Sequence, residues 1–191
     1  MTTDEHKSRK ARSYKLILLF AIVSMIMMFA GLTSAFVVSK SRADWLKDFQ
    51  LPTAFFISTI AIIGSSVTFH LAKKAIQKNN QSATTQFLLA TLALGIAFVV
   101  LQFVCFGQIV ANGYYFTGAA SSITTTFLYI VTVVHLLHLA GGLISLLIII
   151  YNHFKQKYNS TQTLGIELGA MYWHFLDLLW VYLFLFLYFF K

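Results

Sequence analysis

Two pairs of ionisable side chains stand at the same spacing inside otherwise apolar stretches. His135 and His138 are three apart in "FLYIVTVVHLLHLAGGLISLLIII". His174 and Asp177 are three apart in "GIELGAMYWHFLDLLWVYLFLFLYFF", where Glu167 precedes His174 by seven. On a helix, residues three apart share a face and residues seven apart nearly do. Four chemistries suit such a set. Histidines at matched depths on two helices can clamp a haem iron. His135, His138 and His174 are of the residue type that binds zinc or iron. Ionisable groups inside a membrane often mark a proton or solute pathway. Carboxylate–imidazole pairs also join helices as hydrogen-bonded glue, and this structural reading is the preferred one.

These groups have to be held by membrane helices. Of 191 residues, 58% are hydrophobic and 10% charged, whereas a soluble domain is usually about 25% charged. Five stretches, 16–38, 52–72, 87–109, 127–151 and 166–190, contain no Lys or Arg, and each is long enough to cross about 30 Å of hydrocarbon. Strand alternation is absent, so each is read as a helix whose backbone groups are satisfied internally. The expected fold is all-α: one polytopic membrane domain over 1–191, a bundle of five transmembrane helices. The basic residues that give the net charge of +8 lie in short loops between apolar runs, so nucleic acid is not an expected partner. Lys7, Arg9, Lys10, Arg12, Lys15, Lys73, Lys74, Lys78, Lys155 and Lys157 fall on one side, and Lys40, Arg42, Lys47 and Lys191 on the other. The positive-inside rule then places the N-terminus in the cytoplasm and the C-terminus outside. The first apolar run is too long for a cleaved signal peptide. Trp45 is a candidate interface anchor, and Cys105 reads as a buried structural thiol.

Depth can be estimated at about 1.5 Å per residue. His138 then lies about 16 Å below the outer face, and His174 and Asp177 about 12 and 16 Å above the inner one. A polar layer between the fourth and fifth helices is expected, with Asp177 partnering His174 or His138. Gly141 and Gly142 remove side-chain bulk and allow a neighbouring helix to approach closely. Ser65, Ser66 and Thr68 on the second helix and Gln102 on the third are expected to bond to backbone or neighbouring helices. His70 and His153 stand near helix ends, where a solvated or headgroup-facing position is expected.

The motifs resemble subunit III of the haem-copper oxidases. The last helix carries the family's Glu followed by Tyr-Trp-His-Phe-x-Asp and a Trp, here Glu167, Tyr172, Trp173, His174, Phe175, Asp177 and Trp180. Thr132, His135 and His138 match the preceding helix, Ser65, Ser66 and Thr68 the second, and Thr91, Gly95, Phe98 and Gln102 the third. Two positions depart from the pattern: Met25 follows Ser24 where the family has Glu, and Cys105 stands where many members have Glu. Any role of the first-helix carboxylate is therefore not carried over. The resemblance implies the short five-helix bacterial form, a multi-pass protein of the inner (cytoplasmic) membrane with a periplasmic C-terminus. It further implies a non-catalytic subunit in a hetero-oligomer, packed on the catalytic subunit I and other oxidase subunits. Such a subunit holds no haem or copper itself, since these sit in partner subunits; it binds phospholipid and can support proton uptake.

Alternatives of the same superfamily are a quinol-oxidase subunit III and a nitric oxide reductase-associated homologue. Alternatives of other classes are a small proton-coupled transporter, which would show inverted repeats, and a di-haem membrane cytochrome.

Overall fold

The computed structural model describes residues 3–42, 45–46, 51–118, 121–160 and 162–190, with side chains from Ser8 onward. The Lys7 side chain, Lys47 and Lys191, used above in the count of basic residues, lie outside this set. Five long helices follow one another: α1 (Thr3–Val38), α2 (Ala54–Gln77), α3 (Gln81–Ala111), α4 (Ile123–Phe154) and α5 (Leu164–Phe190). All five are long and apolar enough to cross a membrane. Among the described residues the only pairing of strand type is two isolated bridges, Tyr115–Ser121 and Asn159–Gln162. The fold is thus the all-α, five-helix membrane bundle expected. Every helix but α2 extends beyond its apolar stretch at the N-terminal end, because the flanking polar residues cap it or continue it.

The caps are chemically explicit. Asn79 adopts a left-handed φ of 56° after α2, a conformation that Asn tolerates better than most residues. The Asn80 side chain then accepts the Ala83 N–H at 3.1 Å and starts α3. Ser122 and Thr125 form a reciprocal capping box at the start of α4. α2 and α3 form a tight antiparallel hairpin, and α5 packs against α1, α2 and α4. α5 is the most buried of the five over its apolar window and α1 the least.

The interior is not simply apolar. Ser58, Ser65, Thr84, Thr91, Gln102, Thr125, Thr132, His135 and Asp177 are buried, while Ile17, Phe20, Ile60, Leu137, Leu178 and Phe189 face outward. Hydrocarbon solvates leucine as well as a protein core does, so small, aromatic and polar groups rather than greasy ones decide which face turns inward. At the end of the bundle where α1 finishes, Phe36 packs edge-on against Trp45 at 4.8 Å and Phe186 at 5.4 Å. Trp45 is therefore tied into the aromatic end of the bundle.

Candidate functional site

The polar residues of α2 are spaced so that α5, running antiparallel to it, meets one after another. Trp180 Nε1 donates to Thr59 Oγ1 at 3.1 Å, and Trp173 Nε1 donates to Ser65 Oγ at 3.0 Å. One residue further along, Ser66 Oγ and His174 Nδ1 are 2.6 Å apart. Each of Thr59 and Ser65 also donates its own proton to a carbonyl of α2, Thr59 to Phe55 and Ser65 to Ile62. A hydroxyl has one proton and two lone pairs, and an indole N–H can only donate. Sending the hydroxyl proton into the backbone leaves the acceptor side free for tryptophan. The α3 side of α2 is treated alike. Gln102 Nε2 donates to Ser58 Oγ at 2.9 Å, and the Thr68 and Thr91 hydroxyls are 2.8 Å apart.

Tryptophan 173 is where four helices close on one another. Its ring sits so near α3 that a Cβ on Gly95 would lie 2.9 Å from Trp173 Cη2, and its other edge is 3.4 Å from the Cβ position of Gly142 on α4. Phe69 of α2 meets it edge-on at 6.2 Å. Gly142 also admits Leu176, 2.9 Å from its Cβ position, whereas Gly141 faces only the Tyr172 hydroxyl at 3.5 Å. Gly169, not singled out from sequence, seats Ile149 of α4 at contact distance.

The ionisable residues are not gathered into one layer between α4 and α5. His174 is bonded to α2. His138 Nδ1 lies 2.7 Å from the Val134 carbonyl of its own helix, and the Tyr172 hydroxyl donates to the His138 carbonyl at 3.1 Å. Glu167 is held at the end of the bundle: Lys15 Nζ donates to Oε2 at 2.9 Å and Thr163 Oγ1 to Oε1 at 2.7 Å. His135 is fully buried between Trp180 (ring centroids 5.1 Å apart), Phe98 (6.1 Å) and Phe29 (6.5 Å). Neither of its ring nitrogens has a hydrogen-bond partner among the described residues. His153 is buried rather than solvated, its Nε2 lying 2.8 Å from Thr85 Oγ1.

Asp177 departs furthest from expectation. It is buried, and among the described residues neither carboxyl oxygen has a hydrogen-bond partner. Ser66 is its polar neighbour on α2, and that hydroxyl stands 2.6 Å from His174 Nδ1. The two histidines expected to partner Asp177 are bonded elsewhere because the α2 register brings Ser66, not α4, to His174. Leaving a buried polar group unbonded costs about 1–3 kcal/mol. Asp177→Leu, close in volume and apolar, is therefore expected to raise the unfolding temperature of the isolated chain in detergent. A lowered one would show that the carboxyl is bonded.

Trp173 and Trp180 enter the sequence reading only as motif residues, and Ser58 and Thr59 not at all, yet these four carry helix contacts. The available signal was the seven-residue spacing of the two tryptophans opposite the hydroxyls of α2. Among the described residues no group of three or more His, Cys, Asp or Glu is placed to hold a metal ion.

The family profile of cytochrome c oxidase subunit III matches residues 2–191. Cytochrome c oxidase subunit 3 of Spodoptera frugiperda is 37% identical over 143 residues, covering 73% of this chain and 89% of that protein. The Drosophila melanogaster protein of the same name is 34% identical over 140 residues, covering 73% of this chain and 50% of its own length. That of Petromyzon marinus is 31% identical over 143 residues, covering 75% and 51%. The aligned part of this chain thus spans about half the length of the last two. With the profile running along nearly every residue and the last-helix motif built into the helix contacts, the chain belongs to the cytochrome c oxidase subunit III family.

Proposed function

We propose that the chain is a non-catalytic subunit of a proton-pumping terminal oxidase, packed against the catalytic subunit I and stabilising it. Haem and copper sit in the partner subunits. Its place is a bacterial inner membrane, with the N-terminus cytoplasmic and the C-terminus periplasmic. The observation that carries the reading is how the family motif is used. Trp173, His174 and Trp180 are engaged by Ser65, Ser66 and Thr59 of α2, so the motif builds a rigid wall rather than an open reaction site.

Phospholipid is the small-molecule partner that the surface suits. A cleft of about 850 Å³ opens between the start of α1 and the α4–α5 connection, lined by Lys10, Tyr14, Lys15, Lys157 and Tyr158 among others. Ammonium groups beside phenol rings at the basic end of a membrane bundle match the charge and amphipathic character of a phosphate headgroup.

The test is co-purification. Tagged at its N-terminus and extracted in mild detergent from its own membranes, the chain is expected to bring down a haem-containing complex with oxygen-reducing activity. Recovery of the folded chain alone, from membranes that contain an active oxidase, would count against the reading.

A further inference from the structure

Ser66 differs from the other hydroxyls of α2. Ser58 and Thr59 donate to the Phe55 carbonyl, Ser65 to that of Ile62 and Thr68 to that of Ser65. Among the described residues Ser66 donates to no backbone carbonyl, and its hydrogen-bond partner is His174 Nδ1 at 2.6 Å. Its proton is therefore not committed to the helix. On one side of it stands the imidazole. On the other stands Asp177, whose polar neighbour on α2 is this same serine.

Asp177 lies about 20 Å along α5 from its first residue, Leu164. It is 3% exposed, and neither carboxyl oxygen has a partner among the described residues. A buried carboxylate with neither donor nor cation is relieved of its charge by taking up a proton. Hydrocarbon and packed apolar side chains offer no hydrogen bonds, so that proton has to arrive through groups that both donate and accept. Hydroxyl and imidazole do both, whereas the indoles of Trp173 and Trp180, which also face α2, only donate.

The line of polar groups continues to the basic end of the bundle. His174 is half-buried, and with Nδ1 at Ser66 its Nε2 remains for exchange. The His70 ring lies 6.2 Å from that of His174 between centroids, a gap that one water spans. His70 is exposed and stands one turn before Lys73, where α2 leaves its apolar stretch. The other ionisable groups nearby do not serve. Lys73, within electrostatic reach of His174, has donors only. Glu167 is held by Lys15 and Thr163, and His138 by the Val134 carbonyl of its own helix.

We propose that Ser66 and His174 are a proton relay joining the buried Asp177 carboxyl to water at the His70 end of α2. In the inward step His174 binds a proton from water at Nε2. Its Nδ1–H bond breaks as that proton passes to Ser66 Oγ, and the Ser66 O–H bond breaks as its proton passes to the Asp177 carboxylate. One proton leaves water and one reaches the carboxylate, and imidazole and hydroxyl each end neutral. The outward step is the reverse. The inference goes beyond the oxidase reading and does not depend on it.

The test follows hydrogen exchange in the full-length chain, in vesicles of its own membrane lipids. The infrared C=O stretch of the Asp177 acid is identified by its loss in Asp177→Asn, and its shift is timed after transfer to D2O. In Ser66→Ala and in His174→Gln the carboxyl proton is left to local opening of the helices, and the shift is expected to slow by about tenfold or more. Ser66→Thr keeps a hydroxyl and is expected to exchange near the parental rate. A purely structural role predicts the opposite sign, since loosening the α2–α5 seam speeds exchange of the acid and of the backbone amides together. Parental or faster exchange of the acid in either Ser66→Ala or His174→Gln overturns the inference. So does slowing in Ser66→Thr as great as in Ser66→Ala, or an acid band that is the same with and without Asp177.

Discussion

Trp173→Ala is expected to destabilise the isolated chain more than any other single substitution named above, by about 3–5 kcal/mol, the range for deleting a buried aromatic side chain. The reason is the number of helices that lose a surface at once. Its ring fills the space left by Gly95 of α3 and Gly142 of α4 and touches Phe69 of α2, while its N–H is bonded to Ser65. Trp173→Phe separates the two parts. It keeps ring contact and leaves Ser65 without its donor, for an expected cost of about 1–3 kcal/mol. Gly95→Ala attacks the same joint from the other side. Its methyl would sit 2.9 Å from Cη2 and 3.1 Å from Cζ2 of a ring that cannot swing away without breaking its bond to Ser65. Unfolding temperature in a single detergent, and abundance in the membrane, measure all three. Near-parental stability of Trp173→Ala would show that the four helices are held elsewhere.

The five helices were legible because hydrocarbon imposes length and backbone closure on any apolar run, whatever its neighbours. Register was not. Ser65, Ser66 and Thr68 could be read as helix-joining residues, since a hydroxyl in a membrane helix must bond to something, but the type of residue does not name its partner. His174 was expected to look toward α4, where His138 lies at similar depth. In the folded chain the α2 register brings Ser66 to the imidazole at 2.6 Å. His138 turns to its own Val134 carbonyl, which every helix offers locally. The glycine pair shows the same limit. Gly141 and Gly142 are adjacent and equivalent on paper, yet helical rotation points only Gly142 at Trp173 and Leu176. Periodicity puts Glu167 on nearly the same face as His174, but it lies in the first turn of α5, where the helix dipole and Lys15 both favour a negative charge.

Removing this subunit from the oxidase complex is expected to leave the haem and copper content of the remainder unchanged, together with its reduced-minus-oxidised spectrum. The expectation follows from where each candidate ligand is engaged. His174 is bonded to Ser66, His153 to Thr85 and His138 to a backbone carbonyl. His135 is walled in by Trp180, Phe98 and Phe29, with no facing histidine across a ring plane among the described residues. Cys105 is the one cysteine of the sequence, so a thiolate pair of the kind that holds a copper electron-entry site has no second member here. What the complex does lose is a packed wall and, on the proposed reading, the phospholipid at its basic mouth. Oxygen reduction should therefore start at the parental rate, while its durability over many turnovers, or its rate of proton uptake, falls. The measurement is metal analysis and optical spectroscopy on the stripped complex, alongside the time course of oxygen consumption. A haem or copper signal that drops in proportion to the amount of this chain removed, while subunit I stays folded, would make its histidines ligands and end the non-catalytic reading.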